Sequence, residues 1–574
     1  MRSTAHALGA VALVAAADEG SLHEEDGLLI ACWGPRPDGL ARLWHSQGAQ
    51  ACAALAGQFA FALFDAVRGE ALLAVDRCAS RPLFYRGAGR ALLFASSSAA
   101  LARHPAAAGA IDPQAIFDYL YLGGCGARPM FSGQRRLAPG ECLHLRGGRV
   151  ERVRYWRMRF AEHASASDPH ERLIDGLSSA LATSGDDGAG LLCAGGPASA
   201  LLAAMLARVG AAPVRTYALG FGAHDRDILA QVRAASRRLG SHHREREVGP
   251  DDIEAGVVAL ARTGDGPLCR PPVRSPCCWA RRWRARMACA ACMAPWVPPR
   301  SLDAGAATAP WRKSAVTSAC QARCASCWSS RCCSALAAGC RAPFARMRER
   351  IEASLAPAPV RLRRRNRLLR QGAAGVVDPA FPELVDPEAP AAALDQAWWS
   401  AQARSPVNRA IELELQGDLP LRVLPAFSAA CAAAGLRPVL PYLDDALLSM
   451  AARLGPRHKG EAGARRLFDQ ALRALKAGRG TAHESAPVLP FGRWLQEEPR
   501  LRALAGDSLS DLARRRILRR DFLDLLLARR VPEDPRLHGE TVWQLMMLER
   551  WLAQRSGDTR ARIEPPHEAL VLPA

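Results

Sequence analysis

Gly190-Leu191-Leu192-Cys193-Ala194-Gly195-Gly196-Pro197-Ala198-Ser199 decides how the middle of this 574-residue chain folds. Residues 190–193 form an apolar run of buried-strand length, Ala194-Gly195-Gly196 makes a tight turn, and residues 199–209 have helical spacing. A strand over 214–221, a helix over 227–239 and a strand over 242–248 follow, and a helix over 170–181 precedes. Strand, glycine turn, helix and strand make a βαβ unit, and so a parallel sheet. A glycine turn feeding a helix N-terminus leaves backbone N–H groups pointing outward, which is an anion site. Two glycines alone are weak evidence for phosphate.

The flanks differ in kind. Residues 1–156 are β-rich: Phe59-Ala60-Phe61-Ala62-Leu63-Phe64-Asp65 and Ala71-Leu72-Leu73-Ala74-Val75-Asp76-Arg77 are apolar strands joined by a short polar loop, a hairpin signal. Pro82-Leu83-Phe84-Tyr85 and Ala91-Leu92-Leu93-Phe94-Ala95-Ser96 repeat the pattern, and a first strand is expected within 7–17. From Trp398 onward the chain reads as mostly helical, with a helix headed by Pro441-Tyr442-Leu443-Asp444-Asp445 and an apolar one over 541–552 whose Trp543 and Met546-Met547 are core. No internal repeat is visible.

Composition is globular: 49% hydrophobic and 23% charged residues exclude a mostly disordered chain. No uncharged apolar run approaches the ~20 residues of a membrane span, and the alanine-rich 7–17 stretch followed by Asp18-Glu19 reads as a strand, not an export signal. A cytoplasmic protein with no membrane partner is expected. The net charge of +20 is badly distributed, however. Residues 266–347 hold 13 Lys/Arg against Asp303 alone, +12 of the +20, together with 11 of the 18 cysteines and five of the 13 tryptophans.

This window allows three interpretations. A zinc module would use Cys289/Cys292 and Cys324/Cys327, but no His is present and Cys277-Cys278 and Cys332-Cys333 are vicinal. A nucleic-acid patch would use Arg281-Arg282-Trp283-Arg284, but no periodicity holds its arginines on one face. A frameshift in a GC-rich gene explains the composition best. Reading the third base of each codon with the next two forces Leu at Cys277→Cys278 and Cys278→Trp279, and Gly at Trp279→Ala280 and Met287→Ala288. It forces Gly again at Met293→Ala294 and Trp296→Val297. With GC-rich choices elsewhere, the shifted frame gives an amphipathic helix, a strand start and a Gly-x-x-Gly spacing.

Ala56-Gly57-Gln58-Phe59 through Asp65, Val75-Asp76-Arg77, Arg81-Pro82-Leu83-Phe84-Tyr85 and Leu137-Ala138-Pro139-Gly140, in this order, resemble the glutaminase domain of glutamine-dependent asparagine synthetases. Gly195-Gly196 with Ser199, the strand from Thr216 to Phe221, Leu239-Gly240-Ser241-His242-His243, Pro441–Asp445, Leu489-Pro490-Phe491-Gly492 and the 542–552 helix resemble the ATP-pyrophosphatase-type synthetase domain. The resemblance implies an α/β and α+β chain: a glutaminase-like β-sandwich flanked by helices over 1–160, then a parallel-sheet ATP-pyrophosphatase-like domain with a largely helical C-terminal part. The latter would comprise 168–265, the abnormal 266–347 and 348–560, leaving a tail at 561–574.

The family hydrolyses glutamine with an N-terminal cysteine, adenylates aspartate with ATP, and displaces AMP with ammonia. The resemblance implies that Asp76 holds the glutamine amine and that Gly195, Gly196 and Ser199 cradle phosphate. Leu192 and Leu219 would flank adenine; ATP and Mg2+ would be the cofactors, with a homodimer left open. The departures fall on the chemistry. Position 2 is Arg2 and the first cysteine is Cys32, so either the start is misplaced or glutaminase activity is lost. The family loop Ser-Gly-Gly-x-Asp-Ser is here Ala194-Gly195-Gly196-Pro197-Ala198-Ser199, without its first hydroxyl and its Mg2+-positioning Asp. The second phosphate motif falls in the abnormal window. An Asp-Arg pair is replaced by Leu424-Pro425 and a basic residue is missing around Ala482-His483-Glu484. No catalytic residue and no metal ligand can be assigned. An impaired or inactive ligase is expected, or a non-catalytic relative of the same fold. The same residues leave room for a lactam- or macrolactam-forming cyclase, and the net charge for a basic nucleic-acid-binding protein.

Overall fold

A computed structural model describes residues 2–6, 9–13, 20–88, 91–107, 109–162, 168–184, 189–193, 196–210, 213–222, 226–268, 291–293, 373–478 and 489–556. The N-terminal strands are β1 (Arg2–His6), β2 (Gly9–Leu13), β3 (Gly20–Glu25), β4 (Leu28–Trp33), β5 (Ala60–Asp65), β6 (Glu70–Val75), β7 (Phe84–Ala88), β8 (Ala91–Ala95), β9 (Arg135–Arg136), β10 (Glu141–Arg146) and β11 (Arg149–Arg154). An antiparallel six-stranded sheet in the order β11-β10-β6-β5-β4-β3 faces a three-stranded sheet in the order β8-β7-β9.

Strand alternation divides the apolar side chains of the larger sheet between its two faces. Ile30, Cys32, Phe61, Leu63 and Leu72 pack under the helix Leu40–Gln47 with Trp44. Ala31, Trp33, Ala62, Leu73 and Val75 pack against Leu83 and Tyr85 of the smaller sheet. Both faces are covered, so β4, β5 and β6 read as continuous apolar runs instead of alternating ones. This is the sandwich flanked by a helix layer. The β5–β6 hairpin is fixed by Asp65, whose carboxylate accepts from the amides of Val67 and Arg68 at 3.0 and 2.9 Å.

One local expectation shifts, and two further features are not visible in the sequence. The strand expected within 7–17 is instead the second arm of a β1–β2 hairpin, in which Thr4 faces Val11 and neither strand joins another sheet. The polar stretch Arg2–His6 supplies the partner that a lone alanine-rich strand would lack. Phe84–Ala88 leaves the main sheet for the smaller one. Pro420 lies inside a π-helical stretch, Glu414–Val423, because proline removes an N–H from the α-helical ladder and forces a wider turn.

The second sheet is parallel and consists of β12 (Gly190–Leu192), β13 (Arg215–Gly220), β14 (His242–Glu247), β15 (Ala291–Met293) and β16 (Arg437–Val439), in the order β14-β13-β12-β15-β16. The helix Pro197–Val209 connects β12 to β13 and buries Leu201, Leu202 and Met205. The chain proceeds from β12 to one edge and then returns to the other side of β12, so the order reverses between β12 and β15. Ligand crevices of such sheets open at the carboxyl ends of the strands beside that reversal. Of the Cys- and Arg-rich window only Ala291–Met293 lies within the described structure beyond Leu268, and these residues pair with both β12 and β16.

The last helix, Pro535–Ser556, locks the two units together. Trp543, Met546, Met547 and Trp551 are fully buried, as their apolar pattern requires. Tyr119 of the N-terminal unit donates to the Gln544 carbonyl at 2.9 Å, and the Gln544 amide donates back to the Tyr119 carbonyl at 3.1 Å. Glu162, at the junction, accepts from the amides of Arg404 and Ser405 and from Asn408 Nδ2. Lys459 Nζ donates to Asn408 Oδ1 at 2.8 Å, and burial pushes that ammonium down to about 7, partly offset by Glu162. Among the described residues no helix is long and apolar enough to cross a membrane.

Candidate functional site

The glycine turn lies where the sheet order reverses. Gly196 caps the helix Pro197–Val209 with extended backbone, and Pro197 supplies the fixed φ favoured at a helix start. Ala194 and Gly195 lie outside the described residues. Ser199 Oγ is buried and donates to the Gly196 carbonyl at 2.8 Å, so its proton is turned back onto its own cap. Ala198 is 3% exposed and presents a methyl group. Its carbonyl accepts from the Tyr442 hydroxyl at 2.7 Å, a contact between elements that no sequence period could reveal.

Leu192 ends β12 and Leu219 is the last residue but one of the adjacent β13, both buried in one apolar cluster. Further out, the rings of Phe221 and Trp494 meet at a tilt of 59° with centroids 6.4 Å apart. Cys193 is an inert thiol, pushed up to about 12 by burial. Of the described residues here, Gly196, Ala198 and Ser199 carry backbone N–H groups, Pro197 carries none, and Leu192, Leu219 and Phe221 are apolar neighbours in one cluster. The described residues 196–199 carry no carboxylate, and among the described residues no group of three or more His, Cys, Asp or Glu is placed to hold a metal ion. These residues do not fit Mg2+.

His242 and His243 cannot act as a metal pair, because neighbouring strand residues point to opposite faces. His243 is bonded to Thr216 Oγ1 at 2.9 Å and Glu245 at 3.0 Å, while His242 is exposed. Burial holds His243 below its ordinary range, partly offset by Glu245. Leu424 is core, at the head of the helix Leu424–Ala434, and residues 482–484 lie outside the described structure.

In the N-terminal unit, Asp76 directly follows β6 and is 2% exposed. Its carboxylate accepts from the amides of Phe59, Cys78 and Ser80 at 3.2, 2.8 and 3.1 Å, and from Ser80 Oγ. Burial pushes the carboxyl up to about 6 against the pull of these donors. These donors tie the carboxylate to the turn through Ser80 and to the Phe59 amide at the entry to β5. Cys32, Cys52, Cys78 and Cys142 are all buried, with the thiols of Cys32, Cys52 and Cys78 held above their ordinary range. Burial is the cause for Cys32 and Cys78; for Cys52 the neighbouring Cys142 comes first. Arg2 opens the β1–β2 hairpin.

An antiparallel sandwich joined to a parallel sheet with a glycine turn at its reversal defines an amidotransferase-type architecture. A glutamine amidotransferase domain model matches residues 38–156, and an asparagine synthase model matches 173–291 and 313–553. The second match covers more than half of the chain, which belongs to the asparagine synthase family. It leaves 292–312 unmatched, inside the Cys- and Arg-rich window. The chain is 27% identical over 190 residues to "Asparagine synthetase [glutamine-hydrolyzing] 3" of Bacillus subtilis (strain 168), a match spanning 31% of this chain and 30% of that relative's length. A solved structure described as the allosteric regulatory enzyme of purine biosynthesis shares 14% identity over 40% of this chain and 62% of its own, with a TM-score of 0.16, too low to carry weight.

Proposed function

We propose that this asparagine synthase family member descends from an ATP-dependent amide-forming ligase acting on aspartate with glutamine or ammonia, and that its glutaminase-like and synthetase sites are impaired to the point of inactivity. It keeps the fold and a nucleotide cleft. The observation that carries this is the first turn of the helix Pro197–Val209: a buried methyl at Ala198 and an inward-turned hydroxyl at Ser199. A carboxylate beside Mg2+–pyrophosphate contributes several kcal/mol of charge stabilisation, and none is supplied there. In the N-terminal unit, the saturated Asp76 and the buried thiols support the same conclusion. The family match runs through 266–291 and 313–347 and leaves 292–312 unmatched, so a frame error within 266–347 rests on the composition of the window. Sequencing the transcript across codons 260–350 should reveal a compensating base; a transcript that encodes these residues unchanged would contradict this part.

Calorimetric titration with ATP tests the cleft. Binding is expected at similar strength with and without Mg2+, because amides and apolar walls do the holding. Tenfold or greater tightening by Mg2+ would mean that a metal ligand exists and that the site is intact.

A further inference from the structure

The segment from Leu440 to Asp445 touches both units of the molecule within six residues. On one side, Asp445 pairs with Arg77 and accepts from the Gly57 amide at 2.8 Å, while Gln58 Nε2 donates to the Leu440 carbonyl at 3.0 Å. Arg77 directly follows Asp76, so this contact is made to the turn that Asp76 organises. On the other side, the Tyr442 hydroxyl holds the Ala198 carbonyl in the first turn of the helix Pro197–Val209. Tyr442 is buried, and its ring meets Phe468 edge-on at 6.0 Å, so it cannot swing freely. Asp444 independently caps the helix Asp445–Arg453 through the Ala446 amide, which leaves the Asp445 carboxylate available for the other unit.

We propose that Leu440–Asp445 is a strap through which the N-terminal unit fixes the first turn of the glycine-loop helix, with Arg77, Asp445 and Tyr442 as positioning residues. The strap has three covalently consecutive steps between its two anchors, one of them in a tight turn, Pro441–Leu443. Displacement at Asp445 is therefore transmitted to Tyr442. The inference goes beyond the functional proposal and does not depend on nucleotide binding.

Hydrogen exchange on the full chain without ligand reads it. The amide of Ala200 bonds to the Gly196 carbonyl at 3.1 Å and reports the first turn directly. Arg77→Ala, in the other unit, should speed exchange at residues 200–202 about tenfold, the scale set by losing one partly buried charge-assisted contact. Arg152→Ala, which breaks the Arg152–Glu141 pair of the same sandwich, should leave these amides unchanged. In a Tyr442→Phe background Arg77→Ala should add nothing. Equal effects of Arg77→Ala and Arg152→Ala, no effect of Arg77→Ala, or additivity with Tyr442→Phe would each overturn the strap. Should Arg77→Ala fail to fold, Asp445→Asn, which retains an acceptor for Gly57, is judged by the same amides.

Discussion

Asp76→Ala should destabilise the N-terminal unit by about 3–5 kcal/mol, enough to remove much of the stability of an ordinary domain. Four donors converge on this carboxylate: three backbone amides and the Ser80 hydroxyl. Removing the acceptor strands them in a site that is 2% exposed, where an unsatisfied polar group costs about 1–3 kcal/mol each before relaxation. The Phe59 amide also anchors the entry to β5, and the turn through Ser80 carries Arg77 toward Asp445. Thermal unfolding followed by near-ultraviolet dichroism should show the first transition falling markedly. If Asp76 instead served chiefly as a substrate ligand, the variant would unfold at the original temperature and lose only affinity for glutamine.

Ala198→Asp should produce the second large effect, in the opposite direction. A carboxylate in the first helical turn is favoured by the helix dipole by about 0.3–1 kcal/mol, so the substitution should not break the helix. Tyr442 contacts the Ala198 carbonyl, a backbone atom that the substitution leaves in place. Ala198 lies 3% exposed in the apolar cluster, so the new carboxylate costs burial unless it turns toward the glycine loop, where a charge interaction with Mg2+–pyrophosphate in an enclosed site is worth several kcal/mol. ATP binding should acquire a Mg2+ dependence of at least about tenfold, corresponding to about 1.4 kcal/mol. An unchanged titration would mean that the loop does not face the phosphate position, and would remove the basis for assigning a role to Gly196 and Ser199.

Much of this architecture is legible in the sequence because it is encoded locally. The continuous apolar runs of 59–65 and 71–75, the βαβ alternation from 190 to 248, and the apolar spacing around Trp543 and Met546-Met547 each give a period that chain geometry converts into burial. Contacts that join distant segments carry no period and leave no local trace. Tyr442 to Ala198, Arg77 to Asp445 and the reciprocal Tyr119–Gln544 bonds fall in this class. The π-helical turn at Pro420 is hidden for another reason: proline marks a break without saying whether the helix ends or widens around it. Asp76 shows a different limit. Its place at a strand end is visible in the sequence, but its saturation by four donors emerges only once Phe59 is brought beside Ser80.

Pyrophosphate release from ATP in the presence of aspartate, ammonia and Mg2+ is the decisive measurement. Ammonia bypasses the glutaminase-like unit, so the assay reads the synthetase site alone. With Ala198 in the loop and no replacing carboxylate among the described residues 196–199, release should stay at the rate of ATP without protein. Sustained release that requires aspartate would contradict the assignment of an inactive site and establish this chain as a working ligase.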